Sequence, residues 1–407
     1  MGRKPLFLFT DSLSTRLFFA SGVVSQVSEA LKGDLELAAT YDLDKARTGF
    51  NFDYEKWTRN SKVPALVQDQ QFLDHYTCSP AQRMALLVDR VLDKQFGYYP
   101  LNMRLSLKHG FMRERMRRGH PNSFLNLSLG YPFPRSERLY RRIAQWYFGP
   151  NRVVHPAILE HLRTTTSLLV TSNLQFRPAQ SYVLAAHRLG IPIVGHIASW
   201  DHPVGKGLVF PHCSVYVVQN RFMREALVQF HGIADERIVE TGWPQMDLYA
   251  KKRERGEYQS LLKSYGLNPE LPCVLFAGNS PANFPYEPAL LERVADYWAE
   301  SGMSSRCSLI FRPHPKDNNW ETRFRRVIGR PSIYIQPSTY TDLDVVALLL
   351  QHVNAVLTNA GTFMLDSLAN DRPVVCVVYD EGAPADAQYA HKNITGFHYR
   401  DLMQSKA

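Results

Sequence analysis

AVLTNAGTFMLDSLANDRPVVCVVYD (Ala355–Asp380) and SLIFRPHPKD (Ser308–Asp317) decide the fold. In the longer stretch, Ala355–Thr358 predicts a strand, Asn359–Gly361 a tight turn and Thr362–Ala369 a helix, before a second, proline-led strand. Such a turn leaves the backbone N–H groups of the first helical turn beside the strand end, where they attract an anion. The shorter stretch ends a neighbouring strand with a histidine between two prolines. Together the two stretches predict a site for a diphosphate.

Strand and helix patterns alternate on both sides of these stretches. The other predicted strands are Pro5–Thr10, Leu168–Ser172, Pro192–Gly195, Ser214–Gln219, Arg237–Gly242, Cys273–Gly278 and Ser332–Pro337. Strands that alternate with helices along a chain form parallel sheets. We therefore predict an α/β fold with two Rossmann-like domains that face a cleft.

The length of 407 residues exceeds what a single hydrophobic core usually supports. We predict an N-terminal acceptor domain at residues 1–242, which includes a helical basic insertion at about 42–150. A linker follows at 243–258, where a charged run without an apolar period comes after a glycine and a proline. Residues 259–407 form the predicted C-terminal nucleotide-donor domain.

The composition is that of a well-cored globular protein with a basic surface. Hydrophobic residues make up 45% of the chain and the formal net charge is +9, which argues against a disordered chain and favours an anionic partner. Two helix patterns, Met103–Gly119 and Arg135–Gly149, combine arginines with an apolar face. Such arginines suit a solvated face and, with Trp146 nearby, also the surface of an anionic membrane. Both interpretations stay open.

The five cysteines are scattered without a C-x-x-C spacing, which argues against a disulfide framework and a zinc site. The N-terminal apolar run is broken by Asp11 and is too short for a signal peptide or a membrane span. We therefore predict a cytoplasmic protein, with peripheral association at the inner face of the membrane as a further candidate location.

Three predicted turns at strand ends of the second domain supply the candidate donor-binding residues. Arg312, His314 and Lys316 follow one strand, and the flanking prolines hold His314 extended so that it projects from the sheet edge. The other two turns supply amides, hydroxyls and small residues: Gly278, Asn279, Ser280, Asn359, Ala360, Gly361 and Thr362. Asp366 lies one helical turn beyond Thr362, where it either accepts a hydrogen bond from a ribose hydroxyl or only offsets the helix dipole.

The loop HIASWDHPVGKG (His196–Gly207) is predicted to face these turns from the first domain. Its candidate residues toward an acceptor or phosphate are the general bases Asp201, His196 and His202, the stacking surface Trp200 and the cation Lys206. A structural tryptophan and an exposed lysine in a plain loop fit the same sequence. Arg16, at the start of the first predicted helix, is a further candidate for contact with an anionic group.

These motifs resemble the GT-B glycosyltransferase superfamily, and most closely its branch of CDP-glycerol glycerophosphotransferases and UDP-N-acetylglucosamine 2-epimerase-like enzymes. Such proteins pair a G-x-P-x-x-D linker and an H-P motif with a serine- or glycine-rich turn. The matching positions here are Gly242, Pro244, Asp247, His314, Pro315, Asn359 to Thr362 and Asp366. SWDHPVGKG is also similar to a loop of bacterial surface-polysaccharide transferases.

Two features depart from the pattern of that branch. The turn lacks the double serine of the glycerophosphotransferases. The chain also ends at YRDLMQSKA without the final helices that usually cross back onto the first domain, so we expect a short variant or a truncated sequence.

The resemblance implies an enzyme, a GT-B glycosyltransferase. It would move a sugar from a nucleotide-diphosphate donor to a hydroxyl of a glycan or lipid-linked acceptor in surface polysaccharide synthesis. In this interpretation Asp201 is the catalytic base, His314 stabilises the leaving diphosphate, and neither a metal nor another cofactor nor nucleic acid takes part. The alternatives are polyol-phosphate transfer from a CDP-activated donor, sugar-nucleotide epimerisation and non-catalytic nucleotide binding.

Overall fold

The structure, a computed structural model, describes most of the chain. It covers residues 2–43, 63–69, 79–96, 137–281, 284–315, 317–338 and 342–384, together with residues 390, 394, 399 and 402. The basic run Met103–Gly119 and Lys316, both singled out from the sequence, lie outside the described residues.

The first half of the chain builds a parallel sheet. Its strands are β1 (Lys4–Phe9), β2 (Glu36–Ala39), β3 (Leu66–Gln68), β4 (Thr166–Thr171), β5 (Ile193–His196), β6 (Val215–Val218) and β7 (Ile238–Glu240). They pair in the order β3-β2-β1-β4-β5-β6-β7, so the strand order reverses between β1 and β4. Its helices are α1 (Ser12–Ala20), α2 (Val23–Ala30), α3 (Pro80–Phe96), α4 (Glu137–Tyr147), α5 (Pro156–Thr165), α6 (Arg177–Arg188), α7 (His202–Gly205) and α8 (Arg221–Ala226), which continues as a π-helical turn over Leu227–His231.

The second half builds a smaller parallel sheet. Its strands are β8 (Cys273–Ala277), β9 (Ser308–Arg312), β10 (Ile333–Ile335), β11 (Ala355–Asn359) and β12 (Val374–Val377), in the order β10-β9-β8-β11-β12. Its helices are α9 (Gln245–Ala250), α10 (Arg255–Ser264), α11 (Glu287–Glu300), α12 (Trp320–Arg323), α13 (Leu343–His352) and α14 (Thr362–Ala369). The predicted α/β class with two parallel sheets is therefore confirmed, and α14 has the predicted bounds.

Apolar side chains on both faces of the central strands explain why both sheets are covered by helices. Leu6 and Leu8 of β1 are fully buried on one face, while Phe7 and Phe9 pack against Phe18 of α1 on the other. A strand that is apolar on both faces needs a helical layer on each side to exclude water from it.

Two helices occupy the run that the sequence predicts as a linker. α9 and the start of α10 lie in the run 243–258, and Tyr249 and Tyr258 are buried in the cluster that covers the second sheet. The sequence does not reveal these helices, because widely spaced single tyrosines among charged residues leave no apolar period to detect, and the linker itself stays a prediction.

The last described residues return to the first half of the chain. Ile394 and Tyr399 are buried in the same cluster as Trp200 and Phe210, and the Tyr399 ring lies 5.0 Å from the Trp200 ring, edge on. The end of the chain therefore contacts the first half, and the expectation of a short variant or a truncated sequence stays a prediction.

Candidate active site

One cavity of about 800 Å³ lies between the carboxyl edges of the two sheets. All strands of both sheets run parallel, so their loops gather at one edge of each sheet. The lining residues include Thr10, Asp11, Arg16, Tyr41, Asn173, Gln175, His202 and Lys206 from the first half and Trp243, Gln245, Gly278, Asn279, Arg312, His314, Gly361, Thr362 and Asp366 from the second.

Arg312 and His314 lie on the wall that the second sheet contributes. Arg312 is 8% exposed, and its guanidinium donates a hydrogen bond to Oε1 of Gln336 at 3.0 Å, which orients it at the end of β9. The loop beyond His314 is held by Asp317, which is 1% exposed, forms an ion pair with Arg323, and donates its N–H to the His314 carbonyl at 2.8 Å. A buried ion pair therefore supports the segment that carries the histidine.

The turn after β11 places a helix N-terminus on the same wall. Gly361 precedes α14 in an extended conformation and no side chain caps the helix, so its first amides face the region of Thr362 that lines the cavity. A Cβ on Gly361 would lie 3.1 Å from Nδ2 of Asn279, so a glycine there allows the two turns to approach. Asn359 and Ala360, also predicted here, are buried and do not line the cavity.

The loop after β8 closes this wall. The N–H of Gly278 donates to the Arg312 carbonyl at 2.8 Å, and the N–H of Asn279 donates to Oε1 of Glu287 at 2.8 Å. Gly278 and Asn279 line the cavity, whereas Ser280 does not. A Cβ on Gly278 would lie 2.8 Å from Oε2 of Glu287, which explains why this position suits glycine.

Arg16 brings a second guanidinium to the cavity from the first half of the chain. It lies in α1, whose N-terminus is capped by Asp11 through a 2.8 Å hydrogen bond from the Ser14 N–H. Burial, and next the charge of Arg312, lower the pKa of Arg16 to about 10. Two cations from different sheets thus repel one another across one cavity, and an anion between them would remove that repulsion.

Asp366 lies beside these two arginines. Its Oδ1 accepts a hydrogen bond from Nε2 of Gln245 at 2.8 Å, and the same amide group lies 2.7 Å from the Tyr249 hydroxyl. Burial raises the pKa of Asp366 to about 7, although hydrogen bonds and both arginines oppose the rise. Asp366 is 4% exposed and already accepts a hydrogen bond from a side chain of α9. Its carboxylate is therefore less available to accept a hydrogen bond from a ribose hydroxyl than the sequence predicts.

The loop His196–Gly207 contributes to the opposite wall, but through fewer residues than predicted. His202 and Lys206 line the cavity. Trp200 does not line the cavity; it is 7% exposed and packs against Tyr399. A large apolar ring is more stable buried than on the solvent-exposed wall of a cavity. Asp201 does not line the cavity either, and its Oδ1 accepts the Ser199 hydroxyl at 2.5 Å. Trp200 and Asp201 thus lie outside the cavity in which the sequence predicts a stacking surface and a base.

The two histidines of this loop are in different environments. His196 is buried in the core, its Nδ1 lies 2.7 Å from the Ser172 carbonyl, and burial lowers its pKa. His202 faces the cavity, and burial, opposed by Asp201, lowers its pKa to about 4. At neutral pH His202 is therefore an uncharged imidazole that can accept a proton.

Several lining residues were not predicted as site residues from the sequence. Three of them, Asp11, Asn173 and Gln175, lie in the loops after β1 and β4. The predicted carboxyl ends of those two strands were the sequence feature that could have indicated them. Trp243 and Gln245 lie within the predicted G-x-P-x-x-D motif, whereas its Asp247 is exposed and outside the cavity. In the described part of the chain, no group of three His, Cys, Asp or Glu side chains is arranged to hold a metal ion.

The comparisons with known proteins agree with this architecture. The family model of CDP-glycerol:poly(glycerophosphate) glycerophosphotransferases matches residues 208–401, which include the whole second sheet. The chain is similar to the UDP-GlcNAc 2-epimerase of Methanocaldococcus jannaschii at 12% identity, covering 99% of this chain and 94% of that one, with a TM-score of 0.50. None of the curated proteins matches.

Two further solved structures are more distant in shape. The UDP-GlcNAc 2-epimerase of Neisseria meningitidis bound to UDP-GlcNAc has 10% identity, covers 98% of this chain and 91% of that one, and has a TM-score of 0.49. The wall teichoic acid polymerase TagF has 15% identity, covers 60% and 67%, and has a TM-score of 0.36. The GT-B type fold and the resemblance to the glycerophosphotransferase and epimerase-like branch are confirmed.

Proposed function

We propose, from a GT-B fold whose residues 208–401 match the glycerophosphotransferase family, that this chain transfers a polyol phosphate from a nucleotide-diphosphate donor to an acceptor hydroxyl in cell-surface polymer synthesis. The observation that carries the proposal is the pair Arg16 and Arg312 in one cavity with the α14 N-terminus. Phosphoryl transfer depends mainly on positioning and on cations around the phosphorus, and this pair supplies them.

In the proposed reaction the acceptor oxygen attacks the phosphorus that carries the polyol. The bond from that phosphorus to the bridging oxygen breaks, and a nucleoside monophosphate leaves with the electron pair. Arg312, His314 and the α14 amides would bind the leaving phosphate, while Arg16 would contact the transferred phosphate from the opposite wall. Each contact offsets negative charge that develops on oxygen during the transfer.

His202 is the better-placed base for the acceptor hydroxyl. It lines the cavity and is neutral at pH 7, whereas Asp201 is outside the cavity and bonded to Ser199. Its low pKa limits its basicity in the empty cavity. A bound diphosphate would raise that pKa through its negative charge, so donor binding would activate the base.

Sugar transfer is the second candidate. The turn Asn359–Thr362 lacks the double serine of the glycerophosphotransferases, which favours it. In that reaction the acceptor oxygen attacks the anomeric carbon and a nucleoside diphosphate leaves. The same residues of the second sheet would then hold the whole leaving group.

The released nucleotide separates the candidates. The protein is incubated with CDP-glycerol or UDP-GlcNAc and hydroxylated acceptors, and products are followed by ion-exchange chromatography and ³¹P NMR. CMP together with phosphate in the product supports polyol-phosphate transfer, and UDP with a phosphate-free product supports sugar transfer. A new nucleotide sugar formed without acceptor indicates epimerisation, and binding without turnover of any donor indicates a non-catalytic protein.

Variants of the loop test the base in the same assay. His202→Gln should lower the turnover by about 100-fold or more while donor binding persists. Asp201→Asn is the matched control and should retain most of the turnover. The opposite order would return the role of base to Asp201.

An anionic membrane surface is the proposed location of the acceptor. Met84, Leu87, Val88 and Val91 of α3 follow the i, i+3, i+4, i+7 spacing and are each more than half exposed, at 63, 53, 51 and 57%. Asp89 holds the other face of α3 through an ion pair with Arg152. With a net charge of +9, such a stripe suits an anionic bilayer.

Vesicle sedimentation tests this surface. The protein should bind phosphatidylglycerol vesicles more than phosphatidylcholine vesicles, and salt should weaken the binding. Leu87→Ser with Val91→Ser should reduce it, whereas Tyr297→Ser, at another exposed aromatic position, should not. Binding that depends neither on the salt concentration nor on the α3 substitutions would refute the membrane role.

No helix in the described part of the chain is long and apolar enough to span a membrane.

A further inference from the structure

Glu287 joins the two turns that form the donor wall, although it does not itself line the cavity. It is the first residue of α11 and is 3% exposed. Its Oε1 accepts hydrogen bonds from the Asn279 N–H at 2.8 Å and from Nδ2 of Asn359 at 3.1 Å. One carboxyl oxygen therefore connects the loop after β8 with the end of β11.

The second carboxyl oxygen is buried without a partner among the described residues. Oε2 of Glu287 has no hydrogen bond, and it lies where Gly278 and the Phe311 ring leave little space. An ionised carboxylate with one oxygen in such surroundings is unfavourable, because burial removes the water that would solvate the charge and no hydrogen-bond donor replaces it. The neutral acid is the form that this environment favours.

The charged groups around Glu287 do not reverse this preference. Burial raises the pKa of Glu287 to about 8, the N–H of Asn279 and the charge of Arg323 lower it, and the charge of Asp317 raises it again. Arg323 and Asp317 are paired with each other, so their effects on Glu287 largely cancel. The carboxyl is therefore mostly protonated at neutral pH.

We propose that Glu287 is a positioning residue that works as a neutral acid: it holds the loop after β8 against β11, and loss of its proton loosens the donor wall. The inference rests on the proposed nucleotide-diphosphate site. Its consequence is a nucleotide affinity that begins to fall near pH 8 although Glu287 itself does not line the cavity.

Glu287→Gln is the decisive variant because glutamine keeps the acceptor oxygen and has no proton to lose. Calorimetric titration with CDP between about pH 7.5 and 9.5 should show wild-type affinity that falls by up to about tenfold per pH unit once the proton is lost. Glu287→Gln should show a flat profile at the neutral-pH affinity. Glu287→Ala should bind at least about tenfold more weakly at every pH, and Glu300→Gln, at the exposed end of the same helix, should follow the wild type.

Two results would overturn the inference: an alkaline decline in Glu287→Gln equal to that of the wild type, or wild-type affinity in Glu287→Ala. Chemical unfolding of the unliganded protein between about pH 5 and 8.5, the interval over which a raised pKa of Glu287 makes stability fall as the pH rises, separates this failure from failure of the proposed function. If CDP does not bind the wild type at any pH, the proposed function fails. A pH-dependent stability that Glu287→Gln flattens would still support the neutral acid, and equal slopes would exclude it.

Discussion

Arg16→Gln should make the unliganded protein more stable and its nucleotide binding weaker. Arg16 and Arg312 come from different halves of the chain and repel each other in the cavity. A change with opposite effects on folding and binding is the result expected of a site that holds like charges close together for an anion.

The size of the effect follows from the pKa of Arg16. Burial and the charge of Arg312 lower it from 12.5 to about 10, so the charged form is disfavoured in the folded state. A lowered pKa of a base reduces stability at every pH below about 10, and the loss disappears only as the pH rises toward 12.5. At about 1.4 kcal/mol per pKa unit the loss is about 3 kcal/mol. Because Arg16 retains some solvent contact, we expect the variant to gain about 2 kcal/mol.

Urea unfolding at neutral pH and titration with CDP measure the two effects. Arg16→Gln should raise the unfolding midpoint, and its affinity for CDP should fall by about 10- to 100-fold, as expected for a lost charged hydrogen bond to phosphate. Arg221→Gln is the matched control, since its side chain is 85% exposed, and it should change stability by less than about 0.5 kcal/mol. A variant that is destabilised yet binds CDP with wild-type affinity would refute the interpretation of Arg16 as an anion ligand.

Three further changes test other parts of the structure. Gly278→Ala should destabilise by about 1–3 kcal/mol and weaken CDP binding, because its Cβ would meet Oε2 of Glu287 at 2.8 Å, whereas Gly256→Ala has open space and should be neutral; equal thermal shifts in both would contradict this. Trp200→Ala should lower the free energy of unfolding in urea by about 3–5 kcal/mol, because it opens a cavity beside Tyr399. A loss of nucleotide binding without a loss of stability would instead assign Trp200 to the site. Burial raises the pKa of Asp366 from 3.8 to about 7, so the wild type should lose stability as the pH rises through that interval, by up to about 1.4 kcal/mol per pH unit. Asp366→Asn should reduce this slope. Parallel curves of stability against pH for the two proteins would refute the raised pKa of Asp366.

The second half of the chain was the more predictable half. Its strands are short apolar runs, and the predicted turns after β8, β9 and β11 fall at real strand ends. Parallel strands place their carboxyl ends at one edge, so Gly278, Arg312, His314 and Thr362 had to lie near one another. The local sequence pattern and the geometry of a parallel sheet are together sufficient to predict which residues form this wall.

The opposite wall was less predictable because burial decides between roles that look alike in the sequence. In SWDHPVGKG, Trp200 enters the core, Asp201 bonds to Ser199, and His202 faces the cavity, although the three are consecutive. Which neighbour points inward depends on the return of Tyr399 from the end of the chain. No local period encodes a contact over such a separation.

The sequence by itself determined the α/β class, the parallel sheets and the gathering of the turns with Gly278, His314 and Thr362 at one edge of the second sheet, because these follow from periodicity and turn chemistry along short stretches. Only the tertiary structure decided that Arg16 faces Arg312, that Gln245 bonds to Asp366 and that Glu287 joins two turns. Arg16 and Arg312, Gln245 and Asp366, and Glu287 and Asn359 are each far apart in the chain. Burial shifts the pKa values of Arg16, Asp366 and Glu287, and that burial exists only once the sheets and their helices have packed.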